Sequence, residues 1–170
     1  KMEIKPTISI EFLRQFESSE EFKKLLENPT FKSVKVDYET PNVNRLWAQL
    51  TPTIRFFLHE ILPCAPSLYH PHPWASTMRI LPVGGLYEML LGSTEEILSR
   101  TQFDKGGYYE MLNPLSWHSV IPLTKPVYSV MLTEKVEGWD IWSPKADYTL
   151  QELAQNTYDN ILNVFKNFYL

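Results

Sequence analysis

Tyr69-His70-Pro71-His72-Pro73 is the stretch on which the reading of this 170-residue chain turns. His70 and His72 are two positions apart, so on an extended strand both imidazoles project from one face and can share one metal ion. The chain has only four histidines, and a third, His118, lies far enough along for a second strand to bring it to the same face. An H-x-H pair also occurs in turns and on wet surfaces, so its surroundings decide its meaning. Pro71 and Pro73 lack N–H groups and share strand parity. The strand therefore loses donors toward one neighbour only, which fits a sheet edge or a barrel mouth.

The sequence around this pair is rich in strands. Apolar and polar residues alternate from Phe31 to Tyr38, and β-rich segments follow at Thr53–Ile61, Thr77–Leu81, Leu86–Leu91, Ile97–Phe103, Tyr108–Leu112, Trp117–Ile121, Val127–Thr133 and Trp139–Trp142. Pro82-Val83-Gly84-Gly85 and Asp104-Lys105-Gly106-Gly107 carry turn chemistry. Many short, evenly spaced strands predict a sandwich or barrel, jelly rolls included. Ser18-Ser19-Glu20-Glu21 is a capping box leading into Phe22, Leu25 and Leu26, which predicts a helix from Ser19 to Glu27 stopped by Asn28-Pro29. A second box, Thr149 to Glu152, precedes Leu153, Tyr158, Ile161, Leu162, Phe165 and Phe168 at helical spacing. It predicts an amphipathic C-terminal helix over residues 149–168 that packs across the barrel or against a second copy, so a homodimer is compatible with the pattern. Pro41-Asn42-Val43-Asn44 is the nearest thing to a hinge, and no repeat or low-complexity tract appears.

Composition sets outer limits. A hydrophobic content of 44% with 14% aromatics belongs to a globular chain large enough for a sizeable core. A net charge of -4 without basic runs argues against nucleic acid or an anionic membrane as the main partner and leaves a small-molecule substrate. Cys64 is the one cysteine, so no intrachain disulfide can form. The absence of a leader-like start or a spanning apolar run makes a cytoplasmic location the expectation.

The spacing of these residues resembles the cupin superfamily. Its first motif reads G-x5-H-x-H-x4-E-x6-G and its second G-x5-P-x-G-x2-H-x3-N; His70, His72, Gly84, Gly107 and His118 fall on family positions. Cys64 stands for the opening glycine, Thr77 for the glutamate, Asn113 and Leu115 for the second motif's proline and glycine, and Pro122 for its asparagine. Loss of the glutamate points to the three-histidine class, of which the cysteine dioxygenase family is the best-known example. The resemblance implies a mainly β, single-domain cupin jelly-roll barrel over residues 53–143, a helical N-terminal extension over residues 1–30, and the C-terminal helix. It also implies a His70/His72/His118 metal centre. The chain departs from cysteine dioxygenase where Pro126-Val127-Tyr128-Ser129 aligns with the family's last motif: Ser129 is retained, but Met131 and Thr133 replace its relay histidine and tyrosine. Cysteine itself is therefore a doubtful substrate.

Other residues carry alternatives. If the chain bends after His72 so that Thr77 faces the lumen, Arg79 faces it too, and an arginine there needs an anion. Its partner is either Glu88 or Glu110, or a substrate carboxylate held bidentately. Glu88 can instead serve as a fourth ligand, and Glu88, Glu110 or Tyr87 as a base near the metal. By the same resemblance, Arg45 falls at about the position of the carboxylate-binding arginine of cysteine dioxygenases. His59 reads as a structural histidine and Cys64 as a small buried or loop residue. Trp74, Trp117, Tyr108 and Tyr109 read mostly as core.

Three neutral imidazoles leave coordination positions open, as a catalytic site requires. With iron(II) such a centre serves oxygen chemistry on anionic donors; with zinc it activates water. The combined reading is a non-haem iron(II) dioxygenase acting on a small thiol or organic acid. The alternatives are a non-catalytic metal- or small-molecule-binding cupin and a zinc or nickel isomerase or hydrolase.

Overall fold

Alternation in the middle of the chain resolves into two antiparallel sheets whose apolar faces oppose each other. The structure is a computed structural model that describes residues 5–37, 40–65, 67–93, 96–121, 124–139 and 150–170. One sheet runs in the order β1 (Lys32–Val36), β2 (Val43–Gln49), β3 (Ile54–Ile61), β10 (Val127–Glu134), β5 (Ala75–Gly84) and β8 (Gly107–Met111). The other runs β4 (His70–Pro71), β9 (Trp117–Val120), β6 (Glu88–Gly92) and β7 (Ile97–Gln102). With β1 and β2 set aside, β3-β10-β5-β8 faces β4-β9-β6-β7, the eight-strand order of a jelly roll. The expected edge position of the histidine strand holds: β4 pairs with β9 alone.

The six-stranded sheet is buried on both faces. Its lumen face contributes Phe57, Ile61, Met78, Ile80, Val127 and Met131 to a core shared with Tyr87, Met89, Tyr109 and Val120. Its opposite face, with Leu46, Phe56, Leu58, Val130 and Leu132, is covered by α1 (Ile10–Glu17), α2 (Glu20–Glu27) and α3 (Gln155–Tyr169) through Leu13, Phe16, Phe22, Leu26, Ile161 and Phe165. Among the described residues no helix is long and apolar enough to cross a membrane.

Four sequence expectations need correction. The supposed hinge at Val43-Asn44 opens β2, a strand hidden from alternation because it is buried on both sides and carries Arg45 on one and Asn44 on the other. The expected helical N-terminal extension divides into two helices, and the first, α1, was not read separately; Ser9 caps it by accepting from Phe12 N–H at 3.0 Å, and Ser18 closes it, so Ser19 rather than Ser18 caps α2. Gly84, expected in a turn, ends β5 opposite Val127 with φ of 89°, where a Cβ would meet Pro126 O at 2.3 Å. The last helix starts at Gln155. Before it the chain follows β1, with Lys35 N–H donating to Gln151 O at 2.8 Å and Leu153 N–H to Ser33 Oγ at 3.0 Å. Of the second capping box, Thr149 lies outside the described residues, as does the expected strand beyond Trp139.

Arg79 is the largest correction. β5 runs unbroken from Ala75, so simple alternation holds: Ser76, Met78 and Ile80 face the lumen, while Thr77 and Arg79 face the helices with Ala75 and Leu81. Arg79 Nη1 donates to Glu17 Oε2 of α1 at 2.8 Å, and Tyr108 and Tyr169 also donate to that carboxylate. Arg79 also lies against the rings of Tyr108 and Phe168. Glu110, an expected partner of Arg79, instead accepts Ile10 N–H at 2.9 Å. Glu134 accepts from the N–H groups of Thr7 and Ile8 at 2.6 and 3.2 Å, tying the approach to α1 onto the end of β10.

Glu17 therefore latches α1, α3, β5 and β8 together, with side-chain exposures of 6% for Glu17 and 19% for Arg79. Arg79→Met should lower unfolding stability in urea by roughly 1.5–3 kcal/mol, the range for one charge-assisted hydrogen bond, since the two tyrosines still hold Glu17. Metal content should stay at the wild-type level. Unchanged stability with a loss of metal would place Arg79 at the centre after all.

Candidate metal centre

The register of β4 on β9 sets His70 directly opposite His118, and the next lumen-facing residue of the chain is His72. The three rings converge: centroids lie 4.6 Å apart for His70–His118 and His72–His118, and 5.4 Å for His70–His72. One nitrogen from each ring lies within 4.8 Å of the others, and His70 Nε2 and His118 Nε2 are 3.2 Å apart. Two nitrogens bound at right angles to one ion at roughly 2.1 Å each would be about 3 Å apart. That pair already has the spacing of shared ligands, and a small ring rotation brings in the third.

A remote nitrogen fixes the tautomer of His70. His70 Nδ1 donates to Leu68 O at 2.7 Å, which leaves the Nε2 lone pair turned to the cluster. His72 Nδ1 stands 3.4 Å from Ser76 Oγ on β5. His118 is buried, and its Nδ1 has no hydrogen-bond partner among the described residues. Burial lowers the pKa of His118 well below the usual imidazole value, with the charges of His72 and His70 adding to it. His72 is lowered to about 3 by burial, then by His70 and Arg45. Both rings are neutral near pH 7, the state a metal ligand requires.

A serine and an asparagine hold this geometry. Ser67 N–H donates to Val120 O at 2.8 Å, Val120 N–H donates to Ser67 Oγ at 2.7 Å, and Ser119 Oγ donates to Ser67 O at 2.7 Å. These bonds dock the approach to β4 onto β9 and extend a two-residue strand that ladder bonds alone would hold poorly. On the other side, Asn113 Oδ1 accepts Leu115 N–H at 2.8 Å and Asn113 O accepts Ser116 N–H at 2.9 Å. This Asx turn feeds β9 and does the work expected of a proline and glycine.

The remaining site expectations separate. Glu88 is buried, and its carboxylate accepts from Arg100 Nε and from Gln102 Nε2 of β7 at 2.8 Å. Its neighbour Met89 faces the lumen, so Glu88 faces away and joins no ligand group. Tyr87 does lie in the lumen core. Its hydroxyl is 3.0 Å from Tyr109 Oη, whose own proton goes to Met78 Sδ at 2.8 Å, and burial pushes Tyr87 up to about 12. The Tyr109 ring centroid is 6.3 Å from that of His118. Cys64 packs against the same core. His59, read as structural, is lumen-facing and buried, with Nδ1 3.3 Å from Ser129 Oγ. Arg45 sits opposite it on β2, over the Phe57 ring. The signal for Arg45 and His59 lay in strand parity, which required β2 to be recognised as a strand.

No family model matches the chain, and no curated protein does. Solved structures do. FeII HppE is 12% identical over 62% of this chain and 57% of its own, with a TM-score of 0.50, so the chain spans little more than half of that protein. KdgF from Halomonas sp. is 14% identical over 59% of this chain and 86% of its own, with a TM-score of 0.44. A cupin domain from Bordetella pertussis Tohama I is 14% identical over 59% of this chain and 100% of its own, with a TM-score of 0.42. At 12% identity the likeness to FeII HppE is one of fold, and it accords with the jelly-roll strand order of this mainly β chain.

Ser67→Ala would leave the buried Val120 N–H without an acceptor, at a cost of roughly 1–3 kcal/mol. Because the same bond docks β4, the variant should bind added divalent metal more weakly than wild type while keeping its far-ultraviolet circular dichroism. Metal titration and urea unfolding of one preparation check both effects.

Proposed function

We propose that His70, His72 and His118 hold one divalent metal ion and that the protein is a non-haem iron(II) oxygenase acting on a small thiol or organic acid. The observation that carries this reading is the Nε2 pair at 3.2 Å, with the remote nitrogen of His70 committed to a backbone carbonyl. With the proton of His70 on Nδ1, its Nε2 presents a lone pair, and a cation shared with His118 Nε2 can take both at this spacing.

When bound, iron(II) supplies one-electron chemistry toward O₂ and open positions for an anionic donor. The protein contributes three imidazole rings and a lumen walled by Met78, Tyr87, Met89, Tyr109, Met111 and Met131, which excludes bulk water from the substrate. Reactions that begin with a carboxylate base are poorly served. Glu88 is engaged by Arg100 and Gln102, Glu110 by Ile10, and Tyr87 keeps its proton at neutral pH. This favours oxygen chemistry over the zinc or nickel isomerase and hydrolase readings. The fold shared with FeII HppE is compatible with it.

Protein purified without nickel affinity should carry about one iron, or take it up stoichiometrically, by elemental analysis. His70→Ala, His72→Ala and His118→Ala should each lose most of that metal, and His59→Ala should keep it. Iron-loaded protein should consume O₂ with a panel of small thiols, mercapto acids and organic acids, and His118→Ala should not. Full iron occupancy without O₂ uptake across the panel would leave a metal-binding module in place of an enzyme.

A further inference from the structure

Alternation gives each ligand strand a second face. His70 and His118 point into the lumen, so the residues before them in sequence, Tyr69 and Trp117, stand on the outer face of the four-stranded sheet. They are diagonal neighbours there, a separation that aromatic side chains span, and their ring centroids lie 5.6 Å apart at an interplanar angle of 37°. The Tyr69 side chain continues past Trp117. Its hydroxyl donates to Ser93 O at 2.7 Å and lies 3.3 Å from Glu96 O, and Ser93 and Glu96 flank the connection from β6 to β7. Tyr69 therefore reaches from the edge strand β4 across β9 to the end of β6.

Gly92 lets it pass. In register Gly92 stands opposite Trp117 on β6, and a Cβ on it would meet Tyr69 Oη at 2.6 Å and Glu96 O at 2.2 Å. Any side chain there would take the place of the hydroxyl. The need for such a tether follows from the ladder: β4 pairs for two residues and on one side only, so its hydrogen bonds form a line about which the strand can roll. Rolling turns the His70 ring relative to His118, whose own strand is held from both sides by β4 and β6. The Ser67 bonds to Val120 and Ser119 run between neighbouring strands along that same line, so they oppose sliding better than rolling. A tether on the face opposite the imidazoles, anchored two strands away, has the leverage they lack.

We propose that Tyr69 is a positioning residue of the three-histidine centre: its ring against Trp117 and its hydroxyl on the β6–β7 connection stop β4 from rolling and so keep His70 Nε2 at ligand spacing from His118 Nε2. This rests on the reading of that centre as a metal site. Trp117 gives the platform, Gly92 the clearance, and the Ser93 and Glu96 carbonyls the anchor. Trp117 Nε1 has no hydrogen-bond partner among the described residues, so the platform is held by packing, and loosening Tyr69 loosens the residue next to His118 as well. Neither aromatic residue belongs to the ligand group. What crosses the sheet is orientation, and it makes the β6–β7 connection part of the centre's support.

The test is titration of cobalt(II) into metal-free wild type, Tyr69→Phe, Tyr69→Leu and Arg79→Met, followed by the visible d–d bands, with urea unfolding of each protein alongside. Tyr69→Phe keeps the ring and loses the anchor, and should bind cobalt about two- to tenfold more weakly than wild type. Tyr69→Leu loses both, and should bind at least about tenfold more weakly with shifted d–d bands. Arg79→Met, destabilised on the other sheet, should keep wild-type affinity and spectrum. Wild-type affinity and bands in Tyr69→Leu would overturn the proposal, as would an equal weakening in Arg79→Met, which would make the effect one of general stability. In metal-free protein the imidazole nitrogen resonances of His70 and His118 should move in Tyr69→Leu while those of His59 stay. Unmoved His70 resonances would overturn the proposal whatever the metal result. Failure of wild type to bind cobalt, with the His70 and His118 shifts present, would sink the metal reading and leave the positioning role standing.

Discussion

A two-residue strand carries the candidate centre. β4 pairs only with β9, and in that pairing His70 falls opposite His118. Because side chains alternate along strands, slipping this register by one residue would turn the histidines out of the lumen. So short a ladder cannot hold its own register, and the Ser67 bonds to Val120 and Ser119 hold it instead. The prolines that flank His72 remove donors where no neighbouring strand needs them. The site is thus built at the weakest edge of the sheet and stiffened from outside the ladder.

The second organising fact is that the six-stranded sheet separates two chemistries. On its helix side a buried carboxylate, Glu17, gathers Arg79, Tyr108 and Tyr169, and this network joins both terminal helices to the barrel. On its lumen side Arg45, His59 and Ser129 stand in one lateral row, and Ser76 meets His72. The two arginines differ by sheet face alone. Parity along β5 and β2, more than residue type, decides which face each serves.

How much of this was legible follows the same logic. His70, His72 and His118 could be read from spacing because the H-x-H period equals the strand period. The C-terminal helix could be read from Ile161, Leu162 and Phe165, which form a stripe. Arg79 was misplaced because an expected bend after His72 shifted the parity of β5, whereas the strand runs straight and Ser76, not Thr77, meets His72. β2 was missed because burial on both faces erases alternation. With β2 missed, the lumen position of Arg45 rested on family resemblance alone, and its pairing with His59 could not be seen at all. The partners of Glu88 on β7 were likewise invisible, since cross-strand neighbours are set by register and not by local pattern.

X-ray absorption of the iron-loaded protein tests the central claim most directly, because it counts and identifies the atoms bound to the metal. Three imidazole nitrogens at roughly 2.0–2.2 Å, falling to two in His118→Ala, is the predicted result. A shell of oxygen atoms without imidazole scattering, or a spectrum unchanged by His118→Ala, would contradict the account.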